Sequence, residues 1–289
     1  MGYGSGPWEF EGRALYQLSL VRVDEARRHI PADLPLVSLF GWTLGGLYLA
    51  RYTSSPAGAF DELVALAGLV WDGPTSCAWA GRVLVNSPAA LQHGQQAVGL
   101  PSHAARFQAA GHSAWWHGGT PGGEMAATQA RGWGQTRAES AAPAAPCLVV
   151  SLDDQAGRRG QPGPEARRSP TLCALRLPTV PSRKVPRMKL TLPSFSGATE
   201  AVPTLLKYSL KMHARIQPCR RILQHPLEPG GEHDEHVAAI QRLTGGRAVL
   251  CLAFEDMKME VQEPSPIVQE TKKGGLLNRL FGRREPVLA

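Results

Sequence analysis

Side chains able to do covalent or acid–base chemistry are unevenly spread along this 289-residue chain. Lysine, the side chain that condenses with carbonyl substrates to form imines, is absent before Lys184. The chain's lysines are Lys184, Lys189, Lys207, Lys211, Lys258, Lys272 and Lys273, so no amine from the first two thirds can attack a carbonyl. Asp61 and Glu62 are adjacent carboxylates, but the FDELVAL segment around them reads as a strand, which points them to opposite faces and rules out a carboxylate dyad. His233-Asp234-Glu235-His236 groups ligand-type residues in a Gly-rich polar stretch, 229–236. That stretch is expected to be a solvated loop, because nothing there would fix metal-ligand geometry. The five cysteines, Cys77, Cys147, Cys173, Cys219 and Cys251, form no CxxC pair, which predicts a reducing compartment with no disulfide framework and no zinc site. GGTPGG at 118–123 lacks the flanking strand, helix and Lys-Ser/Thr of a phosphate loop. GLPSH and PSFSG fail the G-x-S-x-G test for a serine nucleophile. The residues by themselves therefore predict no catalytic group, no metal and no cofactor.

The elements that would carry such residues are mostly strands. Ala14, Tyr16, Leu18 and Leu20 alternate as a first strand, after which Asp24 is placed to cap a short helix, Glu25 to Ile30, stopped by Pro31. Apolar runs at Leu44–Tyr52, Leu63–Trp71, Ala78–Asn86 and Cys147–Leu152 have strand length, with turn residues between the first three. Ser87 before Pro88 predicts a helix start, with Gln92 to Val98 as its body and Gly99 past its end. From Leu206 to Ile216 even positions are apolar and odd ones polar, one strand with two distinct faces. The polar face carries Lys207 and Lys211, and in a curled sheet it could be lumen or solvent. Leu250, Leu252 and Phe254 are in phase with one another, but Met257, Met259 and Val261 are one residue out, so a β-bulge is predicted at Glu255–Asp256. About nine short strands and two short helices predict a mainly β domain, an antiparallel sheet closed as a barrel or folded as a sandwich, over 1–269.

Composition adds a charge argument. The chain carries a net +7, with an isoelectric point near 9.4. That excess lies outside the two segments read as folded, 1–109 at −1 and 188–269 at 0, against +5 for 110–187 and +3 for 270–289. Stretches 108–146 and 155–170 are rich in Gly, Ala, Pro, Gln and Arg without a period, and are predicted to be surface insertions, largely disordered. The first contains Trp115, Trp116 and Trp133, ingredients of single-strand stacking, but its arginines are scattered, so no nucleic-acid partner is predicted. The basic amphipathic tail 270–289 is at most a weak membrane-surface contact. No transmembrane helix is predicted. The amino terminus has neither a signal core nor a transit composition, which points to a cytoplasmic protein and leaves plastid association open.

The block PWEFEGRALYQL with VDEARRHIPADLPLV, FDELVAL and NSPAALQHGQQAVGLP resembles the acetoacetate decarboxylase superfamily. More narrowly, FGWTLGGLYLARYTSSPAGAFDELVALAGLVW, PTSCAWAGRVLVNS, LTLPSFSG and LLKYS are similar to the plant neoxanthin-deficient family. The resemblance covers 1–107 and 186–262, and it implies a conical β-barrel with an internal cavity. It also implies a pocket in which Arg13 and Glu62 correspond to family residues, whereas the Schiff-base lysine pair would fall beside Gln95–Gln96 and is missing. The implied function is a non-decarboxylating barrel protein needed for accumulation of neoxanthin, a xanthophyll carotenoid, with a carotenoid or other apolar ligand, or a protein of carotenoid metabolism, as partner. The alternative is a lyase or isomerase acting on a small carboxylate or keto substrate through Arg13 and Glu62.

Overall fold

The computed structural model describes residues 3–110, 114–117, 147–153, 170–181, 184–225, 227 and 234–267. In chain order the first half contains β1 (Trp8–Arg22), α1 (Val23–Ala26), β2 (Trp42–Ser54), β3 (Phe60–Asp72), β4 (Thr75–Val85), α2 (Pro88–Gln96) and β5 (Ser102–Ala110). There follow α3 (Ala114–His117), β6 (Cys147–Leu152), β7 (Thr171–Arg176), β8 (Arg187–Gly197), β9 (Leu205–Pro218) and β10 (Leu223–His225). The described chain ends with α4 (Asp234–Thr244), β11 (Ala248–Val261) and β12 (Ser265–Pro266). The strands run in the order β10-β7-β6-β5-β4-β3-β2-β1-β11-β9-β12, with β8 on β9. All ladders are antiparallel except the short β4–β5 pairing.

The sheet curls until β8 lies beside β4, but no backbone ladder joins them. Closure of a barrel by hydrogen bonds, one of the two expected forms, is not made. The seam is held locally, where Gly197 N–H donates to Gly99 O at 3.0 Å and Ser196 Oγ donates to Val98 O at 2.5 Å. Among the described residues no helix is long and apolar enough to cross a membrane.

Both faces of β1–β3 are buried. Even positions of β1 and β2, with Phe60 of β3, turn Phe10, Ala14, Ala50 and Tyr52 into the curl. Odd positions turn Leu15, Leu47, Leu49 and Leu63 outward, beneath β5, β6, β7 and Ile240 of α4. Two-sided burial is why Leu63–Val70 is apolar at nearly every position instead of alternating.

The expected bulge is present. Pairing of β11 with β9 slips between Glu255 and Lys258, pairing with β1 slips between Gly12 and Ala14, and Asp256 takes a positive φ of 49°. Ser87 caps α2 as expected, its Oγ accepting from Ala90 N–H. Asp24 does not cap α1; Arg22 stands at the cap without a side-chain bond, and Asp24 pairs with Arg22. Asp234 to Thr244, partly assigned to a loop, forms α4, which packs Ala239, Ile240 and Leu243 into the core. The insertion expected from residue 108 begins later, because β5 runs to Ala110 and Trp115 and Trp116 of α3 are only 5% and 3% exposed. Most of 108–146, all of 155–170 but Pro170, and the tail 270–289 lie outside the described residues, as do Trp133 and His233.

Gly46 shows how tightly the curl is wound. It sits on β2 opposite Leu18 with φ of +121°, and a Cβ there would come 2.1 Å from Gln17 O. Gly46→Ala is therefore expected to lower the free energy of unfolding by about 3 kcal/mol, measured by urea denaturation, from left-handed strain and forced strand separation together.

Candidate functional site

The curl encloses a cavity of about 490 Å³, walled by Phe10 and Tyr16 of β1, Tyr48 and Tyr52 of β2, Val64 of β3, and aliphatic side chains of β8, β9 and β11. Among the described residues, Glu62 of β3 is the only carboxylate in its lining. Small or short neighbours make room for it, since Glu62 faces Ala50 on one side and Val85 on the other. Burial raises its pKa to about 7, an effect the hydrogen bond from Tyr52 partly offsets. Tyr52 Oη donates to Glu62 Oε2 at 3.0 Å, and Tyr48 Oη lies 3.3 Å from Tyr52 Oη. Burial and the nearby Glu62 push both phenols above their ordinary range, so they remain neutral hydroxyls at physiological pH.

The other polar groups on the wall are muted. His93 of α2 stacks flat on Tyr3 at 3.7 Å, and burial lowers its pKa to about 4, leaving it neutral at physiological pH. Burial pushes the Cys77 thiol up to about 12, so it supplies no thiolate nucleophile. Among the described residues no lysine lines the cavity. On α2 it is Ala90, His93 and Gly94 that face inward, while Gln95 Nε2 donates to Ser102 O at 2.8 Å. Lys207 and Lys211 stand on the solvent side of β9, where Lys211 Nζ meets Glu260 Oε1 at 2.8 Å. That settles which way the polar face of β9 points. Among the described residues the lumen can therefore exchange one proton near neutrality, at Glu62, and offers no amine for an imine.

Arg13 is not in this lumen. It shares the opposite face of the sheet with Arg51 and Asp61, with which it is in register across β1, β2 and β3. Its guanidinium lies 5.6 Å from the ring of Trp115, whose Nε1–H donates to Glu255 Oε1 at 2.9 Å. Arg51 Nη1 donates to Trp116 O at 2.6 Å, with its guanidinium 5.0 Å from the Trp116 ring, and Arg51 Nε lies 3.6 Å from Asp61 Oδ1. Asp61 and Glu62 point to opposite faces, as read from the strand, and the same alternation separates Arg13 from Glu62. Tyr48 and Tyr52 were missed from the sequence; the signal was YLARY, where even-position tyrosines flank a small alanine.

A curled, almost wholly antiparallel sheet of this kind is the acetoacetate decarboxylase-like fold. The chain matches acetoacetate decarboxylase from Legionella pneumophila with a TM-score of 0.54 at 11% identity, over 93% of this chain and 90% of that one. It matches the enduracididine biosynthesis enzyme MppR, solved with pyruvate, with a TM-score of 0.51 at 12% identity, over 91% and 90%. At these identities the likeness is one of fold. No family model matches the sequence. Full-length relatives do: Protein NEOXANTHIN-DEFICIENT 1 of Oryza sativa subsp. japonica is 38% identical over 94% of this chain and 93% of its own, and its Arabidopsis thaliana counterpart is 35% identical over 91% and 94%. The chain belongs to the neoxanthin-deficient family.

Proposed function

We propose that this protein is an accessory, ligand-holding member of its family that takes one end of a xanthophyll into the lumen beside Glu62, and that it does not decarboxylate through a Schiff base. The observation that carries this reading is the lumen itself, apolar on nearly every wall, with one carboxyl and no lysine among the described residues. Such a wall desolvates a hydrocarbon ring favourably, and the Glu62–Tyr52 pair offers the single polar anchor that a ring hydroxyl or epoxide oxygen needs. At about 490 Å³ the lumen has the size of an ordinary small-ligand pocket, so on this reading it takes one end group and leaves the rest of the pigment outside, available to a membrane or an enzyme.

Incubation with neoxanthin followed by gel filtration is expected to give co-eluting visible absorbance at no more than one pigment per chain, lost in Phe10→Glu or Val64→Glu variants that remain folded. Folded protein eluting free of pigment would overturn the reading. Borohydride treatment in the presence of acetoacetate is expected to leave the intact mass unchanged, and a lysine adduct would restore decarboxylase-type chemistry. One observation favours a second reading: a carboxyl titrating near pH 7 inside an apolar lumen is suited to general acid–base work. An enzyme of this kind would use Glu62 without Arg13, which faces the other way.

A further inference from the structure

The open seam has a second consequence, on its outer side. β4 pairs with β5 only from Val83 onward. Before that point its outer edge borders a separate polar pocket of about 660 Å³, reaching the 198–201 turn after β8. This pocket shares Ala80, Leu100 and Ser102 with the apolar lumen behind it. Among the described residues four basic side chains line it: Arg28 and His29 from the turn after α1, Arg82 from β4 and His103 from β5.

Their charges are poorly matched. Glu25 alone serves three bases, with Oε2 at 3.2 Å from Arg28 Nη1 and 2.7 Å from Arg242 Nε, and Oε1 at 3.3 Å from His29 Nε2. Arg82 makes no ion pair among the described residues; its Nη1 donates to the carbonyl of Gly81 at 2.9 Å. His103 faces not an acid but the ring of His236 of α4, at 5.2 Å. Among the described residues Glu200 is the one carboxylate in the pocket wall, and it is exposed.

We propose that this pocket is an oxyanion site, taking a carboxylate or phosphate group against Arg82, Arg28 and His103. A planar guanidinium without a carboxylate partner is suited to two-pronged recognition of such a group. The neighbouring histidines agree. Burial, His236 and Arg82 together hold His103 down to about 4, and burial with Arg82 and Arg242 lowers His29 despite its bond to Glu25. A bound anion reverses the electrostatic part of that effect. Because the wall of Ala80, Leu100 and Ser102 is common to both spaces, the anion is either a free one or the head of an amphiphile whose chain enters the lumen.

The test follows the ring resonances of His103, assigned with His103→Gln, during titration with inorganic phosphate and separately with decanoate, at ionic strength held constant with chloride. At least one of the two is expected to raise the apparent pKa of His103 by one unit or more, and Arg82→Gln is expected to weaken binding tenfold or more. Decanoate that also displaces an apolar dye from the lumen identifies an amphiphile head; phosphate binding without displacement identifies a free anion. Absence of a His103 shift with either compound, or an equal shift in Arg82→Gln, overturns the site. If Arg82→Gln does not fold, Arg82→Lys serves, and a reduced but measurable affinity is expected. Dye binding to the unliganded variant is expected to be unchanged, which separates this site from the lumen reading.

Discussion

Glu62→Gln is expected to leave stability unchanged at pH 4 and to raise it by about 3 kcal/mol at pH 8. The folded protein holds the Glu62 proton up to a pKa of about 7, against 4.5 for an unperturbed glutamate. Below pH 4.5 both folded and unfolded states carry the proton, and the group adds no pH dependence. Between 4.5 and 7 the unfolded chain has released the proton and the native state has not. Stability therefore falls as pH rises through that window, and it levels off once the native carboxyl ionises. Glutamine keeps an oxygen able to accept from Tyr52 Oη and removes the buried charge, so the variant should lack the decline. Urea unfolding at pH 4, 6 and 8 measures it. Parallel curves for the two proteins would show that Glu62 ionises in the native state like an exposed acid. The same titration bears on function. A ligand that accepts a hydrogen bond from neutral Glu62 should bind more tightly below pH 7, and one that donates to the carboxylate should bind more tightly above it.

Much of this site was written in local patterns and the rest was not, for a physical reason. Alternation fixes which side chains share a face, so the common face of Lys207 and Lys211, the separation of Asp61 from Glu62 and the bulge at Glu255–Asp256 all follow from a period of two, while the outward turn of that lysine face does not. Alternation alone does not say which face of a doubly buried strand meets the lumen. Arg13 and Glu62 were joined through family resemblance, yet Arg13 is in register with Arg51 and Asp61, and Glu62 lies on the row of Ala14 and Ala50. The missing information is the phase between β1 and β3, which is set by ladders between segments distant in sequence. Helix α4 was hidden differently. Its apolar positions Val237, Ile240 and Leu243 recur at helical spacing, but they follow a polar His-acid stretch whose composition suggests a loop. Trp115 and Trp116 were assigned by the low complexity of what surrounds them. Their burial rests on partners, Arg13, Arg51 and Glu255, that only the folded sheet brings within reach.

That reassignment carries the second large effect. Trp116→Ala is expected to lower the free energy of unfolding by about 3–5 kcal/mol, the usual cost of deleting a buried tryptophan from a core. A residue on a solvated insertion would cost within about 0.5 kcal/mol. The Trp116 ring lies parallel to Phe107 at 6.1 Å and 10°, and the same residue offers Arg51 a carbonyl and a ring face, so its loss opens a cavity next to a partly buried guanidinium. Trp115→Phe isolates the polar part: it keeps an aromatic ring under Arg13 but strips the indole donor from Glu255, whose pKa burial already raises. About 1 kcal/mol is expected there, the net worth of one hydrogen bond, because Glu255 is half-buried and water can take the place of the indole donor. Arg13→Gln completes the set. Because Arg13 faces Trp115 and not the lumen, its substitution should reduce stability while leaving the affinity of the cavity for an apolar dye within twofold of the parent protein. A tenfold loss of dye affinity in a variant of undiminished stability would place Arg13 back with Glu62.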